Sequence, residues 1–376
     1  MNKSLVLVGM NVRPLAQSAV KAGFEVVAID AFGLLDLPAE ARCLSLAYDL
    51  GGLFPGHPGI WHTRLAQAVR SQSAGSLAYS GGFETLPDLV AEMSAECELL
   101  GNSPTSLRGV RNPFRLREVV LSAGLQTPQI LPPGAQPDRG LRWLRKPLKS
   151  GMGHDIEPWE GIVPDDPETI VQVRVEGIPH SASFIANGHE AQVFAITHQL
   201  SGDPAFGAEG FAYVGNLLIP QPDAGLLARL NLLATALTQA FGLVGLNGID
   251  FVLSGEGVSI LEVNPRYSAS MELVEEALGV PLLKWHAAGC RRQSLPVLPE
   301  RHDQNVFGKA IVYARRDGIL PDTSEWLAKG RRDVPHAGGS VRAGFPICTV
   351  TAVGVDQQRC YAHLVAEADE LVESMS

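Results

Sequence analysis

Asp250, Glu262, Asn264 and Arg266 are the residues whose types and spacing suggest chemistry first. Glu262 and Asn264 alternate in Leu261-Glu262-Val263-Asn264-Pro265-Arg266, and a period of two sends both to one face of a strand. Gly248-Ile249-Asp250-Phe251 precedes them across the hairpin signal Ser254-Gly255-Glu256-Gly257, which predicts Asp250 on the neighbouring strand. Two carboxylates and one amide oxygen, without Cys or His, are hard donors suited to Mg2+, with Mn2+ as an alternative, and leave coordination positions for phosphate oxygens and water. Arg266, two residues beyond Asn264, faces the same way and suits a carboxylate or a transferring phosphoryl group. Asn and Asp are depleted in strands. Ile249, Phe251, Leu261 and Val263 would bury the opposite face, so the pattern reads as a site rather than a merely wet edge.

A second set lies in Arg145-Lys146-Pro147-Leu148-Lys149-Ser150-Gly151-Met152-Gly153-His154. A lysine ending a strand, followed by a small glycine-bearing loop, suits phosphate. Backbone amides cradle the oxygens while the ammonium neutralises charge. The Gly-Lys-Ser/Thr of a Walker A loop and its following helix are missing. Near the amino terminus only Gly9 stands where a dinucleotide fingerprint needs three glycines, and Met10 and Arg13 would crowd the approach of a pyrophosphate.

The elements that must hold these groups fall into several units. Residues 4–8 and 25–30 read as strands around a helix at 12–22, the βαβ pattern of a parallel sheet. A further strand at 76–79 leads into Gly81-Gly82 and a helix predicted over 86–100. The loop Tyr79-Ser80-Gly81-Gly82-Phe83-Glu84 follows the carboxyl end of a parallel strand, where ligands sit in open α/β sheets. A helix at 114–123, a Pro/Gly-rich linker at 131–140, a strand at 141–147, antiparallel strands over 169–184, a long helix at 226–242 and a short one at 271–279 come next. Short strands and a closing helix at 360–373 end the chain. His198, Gln199 and Asp203 either line a pocket or cap strands. The expected class is α/β and α+β. Of 376 residues 45% are hydrophobic and 19% charged, a globular balance. The net charge of −10 argues against a nucleic-acid partner. Five scattered cysteines with no CxxC pair argue against a disulfide framework or thiolate zinc and point to a reducing, cytoplasmic setting. No apolar run approaches a membrane span, and the amino terminus reads as a buried strand rather than a signal peptide.

The order of βαβ unit, Lys-Pro with glycine loop, and Asp…Glu-x-Asn-x-Arg resembles the ATP-grasp superfamily over roughly residues 1 to 290. In finer pattern it resembles predicted ATP-dependent carboligases related to biotin carboxylase, some linked to tetrahydromethanopterin- or methanofuran-type cofactors. The resemblance implies a Rossmann-like pre-ATP-grasp domain at 1–100, a small ATP-grasp lobe at 101–180, a large lobe with the metal site at 181–290, and a β-rich carboxy-terminal region at 291–376. It also implies an ATP- and Mg-dependent carboxylate–amine ligase that passes through an acyl phosphate, adding glutamate or an amine in one-carbon cofactor biosynthesis. The alternatives are a nucleotide-binding regulatory or assembly protein and a bicarbonate-phosphorylating carboxylase-like enzyme. Lys146 would contact the α/β-phosphates, and the loop of Ser150, Gly151, Met152, Gly153 and His154 would close over the triphosphate. Gln172, Val173, Arg174 and Val175 would form the adenine-binding hinge. Asp250, Glu262 and Asn264 would hold magnesium, and Arg266 would face the γ-phosphate and the acceptor carboxylate. The family's other nucleotide lysine falls on Pro113, leaving Arg111 or Arg115 to substitute, and Pro179 and His180 stand where an acidic ribose partner is expected. Small-molecule substrates and a homodimer complete the implied picture.

Overall fold

The protein is described here from a computed structural model, covering residues 3–46, 49, 58–153, 155–299, 301 and 303–375. Residues near the amino terminus build a five-stranded parallel sheet in the spatial order Arg42–Ser45, Glu25–Asp30, Ser4–Gly9, Ser76–Tyr79, Glu98–Leu99. Leu5, Leu7, Val6 and Val8 bury both faces of the central strand, as a sheet covered on two sides requires. Asp30 ends the second strand and accepts hydrogen bonds from Val12 N–H at 2.8 Å and from Phe32 and Gly33 N–H at 2.8 Å each. Its carboxylate therefore occupies the start of the helix Arg13–Lys21, where a dinucleotide phosphate would otherwise lie. The helix expected over 86–100 is shorter, Pro87–Met93, because Glu98–Leu99 pairs with Ser76 and Leu77 instead.

A four-stranded antiparallel sheet (Ile130–Leu131, Thr169–Val173, Trp143–Pro147, Glu157–Pro158) carries Lys146 above a small core of Trp143, Val163 and Val171. Beneath it lies a seven-stranded antiparallel sheet in the order Gly257–Asn264, Val244–Ser254, Ile178–Asn187, Ala191–Ser201, Tyr213–Leu218, Val306–Tyr313, Pro346–Gly354. The last two strands, though distant in sequence, extend this same sheet. Its Phe184 face packs on the helix Ala224–Phe241, which Asp223 caps through Leu226 N–H at 2.7 Å and which ends at Gly242 with φ +66°. Such a cap is worth about 1 kcal/mol. The helix Gln357–Glu373 packs against the far strands through Cys360, Leu364 and Leu371. On the opposite face, Ile185, Ala195 and Leu246 pack on the helices Met271–Leu278 and Leu282–Cys290.

That opposite face also carries a polar row. Glu262 lies across from Asp250, Asp250 across from Ser181, and Ser181 across from Thr197. Asn216 Nδ2 donates to Thr197 Oγ1 at 2.8 Å and stands across from Lys309. Polar side chains at one face of otherwise apolar strands mark where the sheet is not simply core. Among the described residues no helix is long and apolar enough to cross a membrane.

Candidate active site

The hairpin read from sequence forms, and it brings the predicted trio together. Asp250 and Glu262 are direct cross-strand neighbours, and Asn264 Nδ2 donates to Asp250 Oδ2 at 2.8 Å. Burial and the charge of Glu262 push the Asp250 carboxyl above its usual range, as expected of two carboxylates facing one another. Burial would raise Glu262 as well, but the Lys146 ammonium and the Arg111 guanidinium outweigh it and hold Glu262 low. Lys146, from the small four-stranded sheet, reaches down and donates directly to Glu262 Oε2. Two facing carboxyl groups, one of them already held ionised by a lysine, fit a divalent ion. Asn264, however, turns its nitrogen toward Asp250, while its Oδ1 accepts from Arg266 Nη2 at 3.3 Å, so ligation through its oxygen requires the amide to turn over. Among the described residues no group of three or more His, Cys, Asp or Glu converges as a metal centre, and this corner offers two carboxylates and an amide.

Arg266 is fixed from three directions. Its Nε donates to Glu84 Oε1 at 2.7 Å, Nη1 to Tyr267 O at 3.1 Å, and Nη2 to Asn264 Oδ1. Burial alone would lower its pKa, but Glu84 beside it keeps it raised. The preceding turn is locked by Asn102, whose Nδ2 donates to Pro265 O at 3.0 Å and to Asn247 Oδ1 at 2.8 Å. Glu84 belongs to the loop after strand Ser76–Tyr79, and a side chain on Gly81 would come within 3.6 Å of the Arg266 guanidinium carbon. The parallel sheet thus delivers its loop to the large sheet's charged corner. The loop was legible in sequence, but the Glu84–Arg266 pairing was not.

The phosphate-loop candidates sit above this corner. Ser150 Oγ donates to Pro147 O at 3.4 Å. Space around Gly151 is open, whereas a Cβ on Gly153 would overlap Phe211 O at 1.9 Å, and its φ of +74° favours glycine besides. Met152 O accepts from Tyr213 N–H at 2.8 Å, which docks the loop on the large sheet. His154 lies outside the described residues. In the hinge, Gln172 pairs with Leu144 and is buried, Val173 N–H donates to Gln129 O and Arg174 N–H to Arg142 O. Those two N–H groups are committed within the protein. Arg174 also lies over the Phe211 ring, beside the phosphate loop.

The two arginines proposed for the missing lysine part company. Arg111 Nη2 donates to Leu148 O at 2.7 Å and acts electrostatically on Glu262, while Arg115 lies over the Phe241 ring 5.5 Å from its centroid. His180, at the expected ribose position, is buried and stacks on Phe251 at 5.4 Å and 16°. His198 lies 5.6 Å from His180, ring to ring. Asp203 caps the turn Pro204–Phe206 through Ala205 N–H and accepts from Tyr361 Oη, so it is occupied structurally.

A second charged cluster was not foreseen. Arg13 is 0% exposed, and its Nε donates to Asp333 Oδ1 at 2.8 Å beside Asp36 at 3.0 Å. Both of its terminal nitrogens donate to Glu272, which also accepts from Lys309 Nζ at 2.6 Å. A lysine in the apolar strand Val306–Tyr313 was the available signal.

Residues 112–270 match a family described as ATP-grasp domain, a stretch that includes Asp250, Glu262 and Asn264. A carbamoyl phosphate synthase large chain from Thermus thermophilus is 26% identical over 202 residues, 54% of this chain and 18% of that protein. The chain therefore spans about a fifth of that relative's length. An uncharacterised protein from Methanocaldococcus jannaschii is 24% identical over 368 residues, 93% of this chain and 88% of its own. The crystal structure of an L-amino acid ligase from Bacillus licheniformis superposes with a TM-score of 0.68 at 15% identity, covering 98% of both chains, which establishes a shared fold.

Proposed function

We propose that this protein is an ATP- and magnesium-dependent carboxylate–amine ligase acting on small molecules. The observation that carries the reading is one corner where Lys146 of the four-stranded sheet meets Asp250, Glu262, Asn264 and Arg266 of one hairpin in the seven-stranded sheet. Asp250, Glu262 and Asn264 would hold the magnesium, which when bound neutralises charge on a triphosphate. Lys146 would exchange Glu262 for phosphate oxygens, with Arg111 adding charge from the same side. Arg266, held by Glu84, would orient the acceptor carboxylate toward the γ-phosphate. Attack of a carboxylate oxygen there releases ADP and leaves an acyl phosphate, and an amine then displaces phosphate to give an amide. Positioning and electrostatics supply the catalysis, so no side-chain nucleophile is required. The relative named an L-amino acid ligase supports this class of product.

The test is ADP release and hydroxamate formation with Mg-ATP, hydroxylamine and a panel of the L-amino acids and small dicarboxylates. Acid-dependent hydroxamate supports the reading. Nucleotide binding with no acid-dependent ADP favours a regulatory or assembly protein instead. The relative named carbamoyl phosphate synthase large chain favours a second reading, bicarbonate as the phosphorylated acid, which bicarbonate-dependent ADP release without hydroxamate would select. The narrower assignment, joining glutamate or an amine to a one-carbon cofactor precursor in the cytoplasm as a homodimer, rests on family resemblance.

A further inference from the structure

The Glu84 side chain divides its two oxygens unequally. Oε1 accepts from Arg266 Nε at 2.7 Å. Oε2 is buried with no hydrogen-bond partner, in a residue only 6% exposed. Buried carboxylate oxygens are ordinarily satisfied, and this one follows Gly81 and Gly82 in the loop that carries it to Arg266. Gly82 already takes φ +97° to start the turn Phe83–Thr85, so the position is held rather than forced by bulk.

The charges around it say what would complete it. Arg266 bonds Glu84 directly, Lys146 and Arg111 act on Glu262 across the same corner, and Asp250 and Glu262 are the oxygens suited to a metal. A protonated amine approaching an acyl group there is repelled by those cations and needs an anionic oxygen that neither the metal nor Arg266 has taken. Glu84 Oε2 is such an oxygen, and its other oxygen is bonded to the arginine that would hold the acid. Resting on the ligase reading above, we infer that Glu84 Oε2 is the binding point for the ammonium group of the amine substrate and takes one of its protons, which frees the lone pair for attack on the acyl phosphate and favours amines arriving protonated over uncharged ones.

The experiment compares two nucleophiles small enough for any acceptor site: ammonium, charged at pH 8, and hydroxylamine, uncharged at pH 8. Their kcat/KM values are measured in wild type, Glu84→Gln and Glu84→Asp, with Mg-ATP and the acid that gives most hydroxamate. Glu84→Gln lowers kcat/KM for ammonium at least tenfold further than for hydroxylamine, mainly through KM, and Glu84→Asp restores part of the difference. If the ratio stays within threefold of wild type in both variants, Glu84 merely braces Arg266 and the inference falls while the ligase reading stands. If wild type forms no hydroxamate with any acid, the ligase reading falls first and takes this inference with it.

Discussion

The two charged clusters stand at opposite ends of one polar row on one sheet face, yet they are built to different ends. In the cluster of Arg13, Asp36, Glu272, Lys309 and Asp333, every charge meets an opposite charge, and Arg13, Glu272 and Lys309 are each less than a tenth exposed. It ties the first helix of the parallel sheet to the helix Met271–Leu278, the strand Val306–Tyr313 and the carboxy-terminal segment. In the cluster of Lys146, Asp250, Glu262, Asn264 and Arg266, Asp250 faces Glu262 across the hairpin, and Lys146 and Glu262 remain partly open to solvent. Charged groups alone therefore do not mark a site. What separates the two is whether the protein completes its own pairing or leaves room for a ligand to do so.

Truncation at each cluster should separate the roles cleanly. Glu262→Ala or Asn264→Ala is expected to lower Mg-dependent ADP formation by at least about 10³-fold, or about 4 kcal/mol of barrier, while unfolding stability changes by less than about 1 kcal/mol. Near-normal turnover in both variants, measured by coupled ADP release, would break the comparison from the catalytic side. Glu272→Ala takes away the ion-pair partner of buried Lys309 and the carboxylate on Arg13's terminal nitrogens, leaving Arg13 only Asp36 and Asp333, and loss of one partner from a buried pair costs about 3–5 kcal/mol. Urea unfolding should show that loss. A drop under about 1 kcal/mol would mean that water already reaches the sealed cluster.

How far this contrast was legible in sequence depended on the range of the contacts. Asp250, Glu262, Asn264 and Arg266 could be read because strand alternation and a glycine-bearing turn are local rules, but the bulge at Leu261, without which Asp250 would face Leu261 instead of Glu262, is not written in either rule. Arg13, Asp36, Glu272, Lys309 and Asp333 are scattered across the chain, and no periodicity joins them. Arg111 and Arg115 were indistinguishable by type, because only the packing of Arg115 on Phe241 and the reach of Arg111 to Leu148 O separate them. The helix Pro87–Met93 ends short of its local pattern for the same reason. A two-residue strand pairing with Ser76 and Leu77 overrode local helical preference.

Glu275 sharpens the comparison further, since it borders the sealed cluster without a cation of its own in direct contact. Its carboxyl accepts from Leu282 N–H at 2.9 Å and lies near Ser18, Lys21 and Glu272. Burial, aided by Glu272, raises it to about 7 despite those hydrogen bonds. A carboxyl with a raised folded-state pKa holds a proton that the unfolded chain has released between its ordinary value of about 4.3 and about 7. Its contribution to stability is therefore complete below that window and is lost as pH rises through about 7. Glu275→Gln keeps an acceptor for Leu282 and resembles the protonated acid. It should match wild type at pH 4.5 and exceed it by about 1–2 kcal/mol at pH 8.5 in urea unfolding. An equal advantage at both pH values would mean that Glu275 does not titrate in the folded protein, and that a proton is not what balances this buried carboxylate.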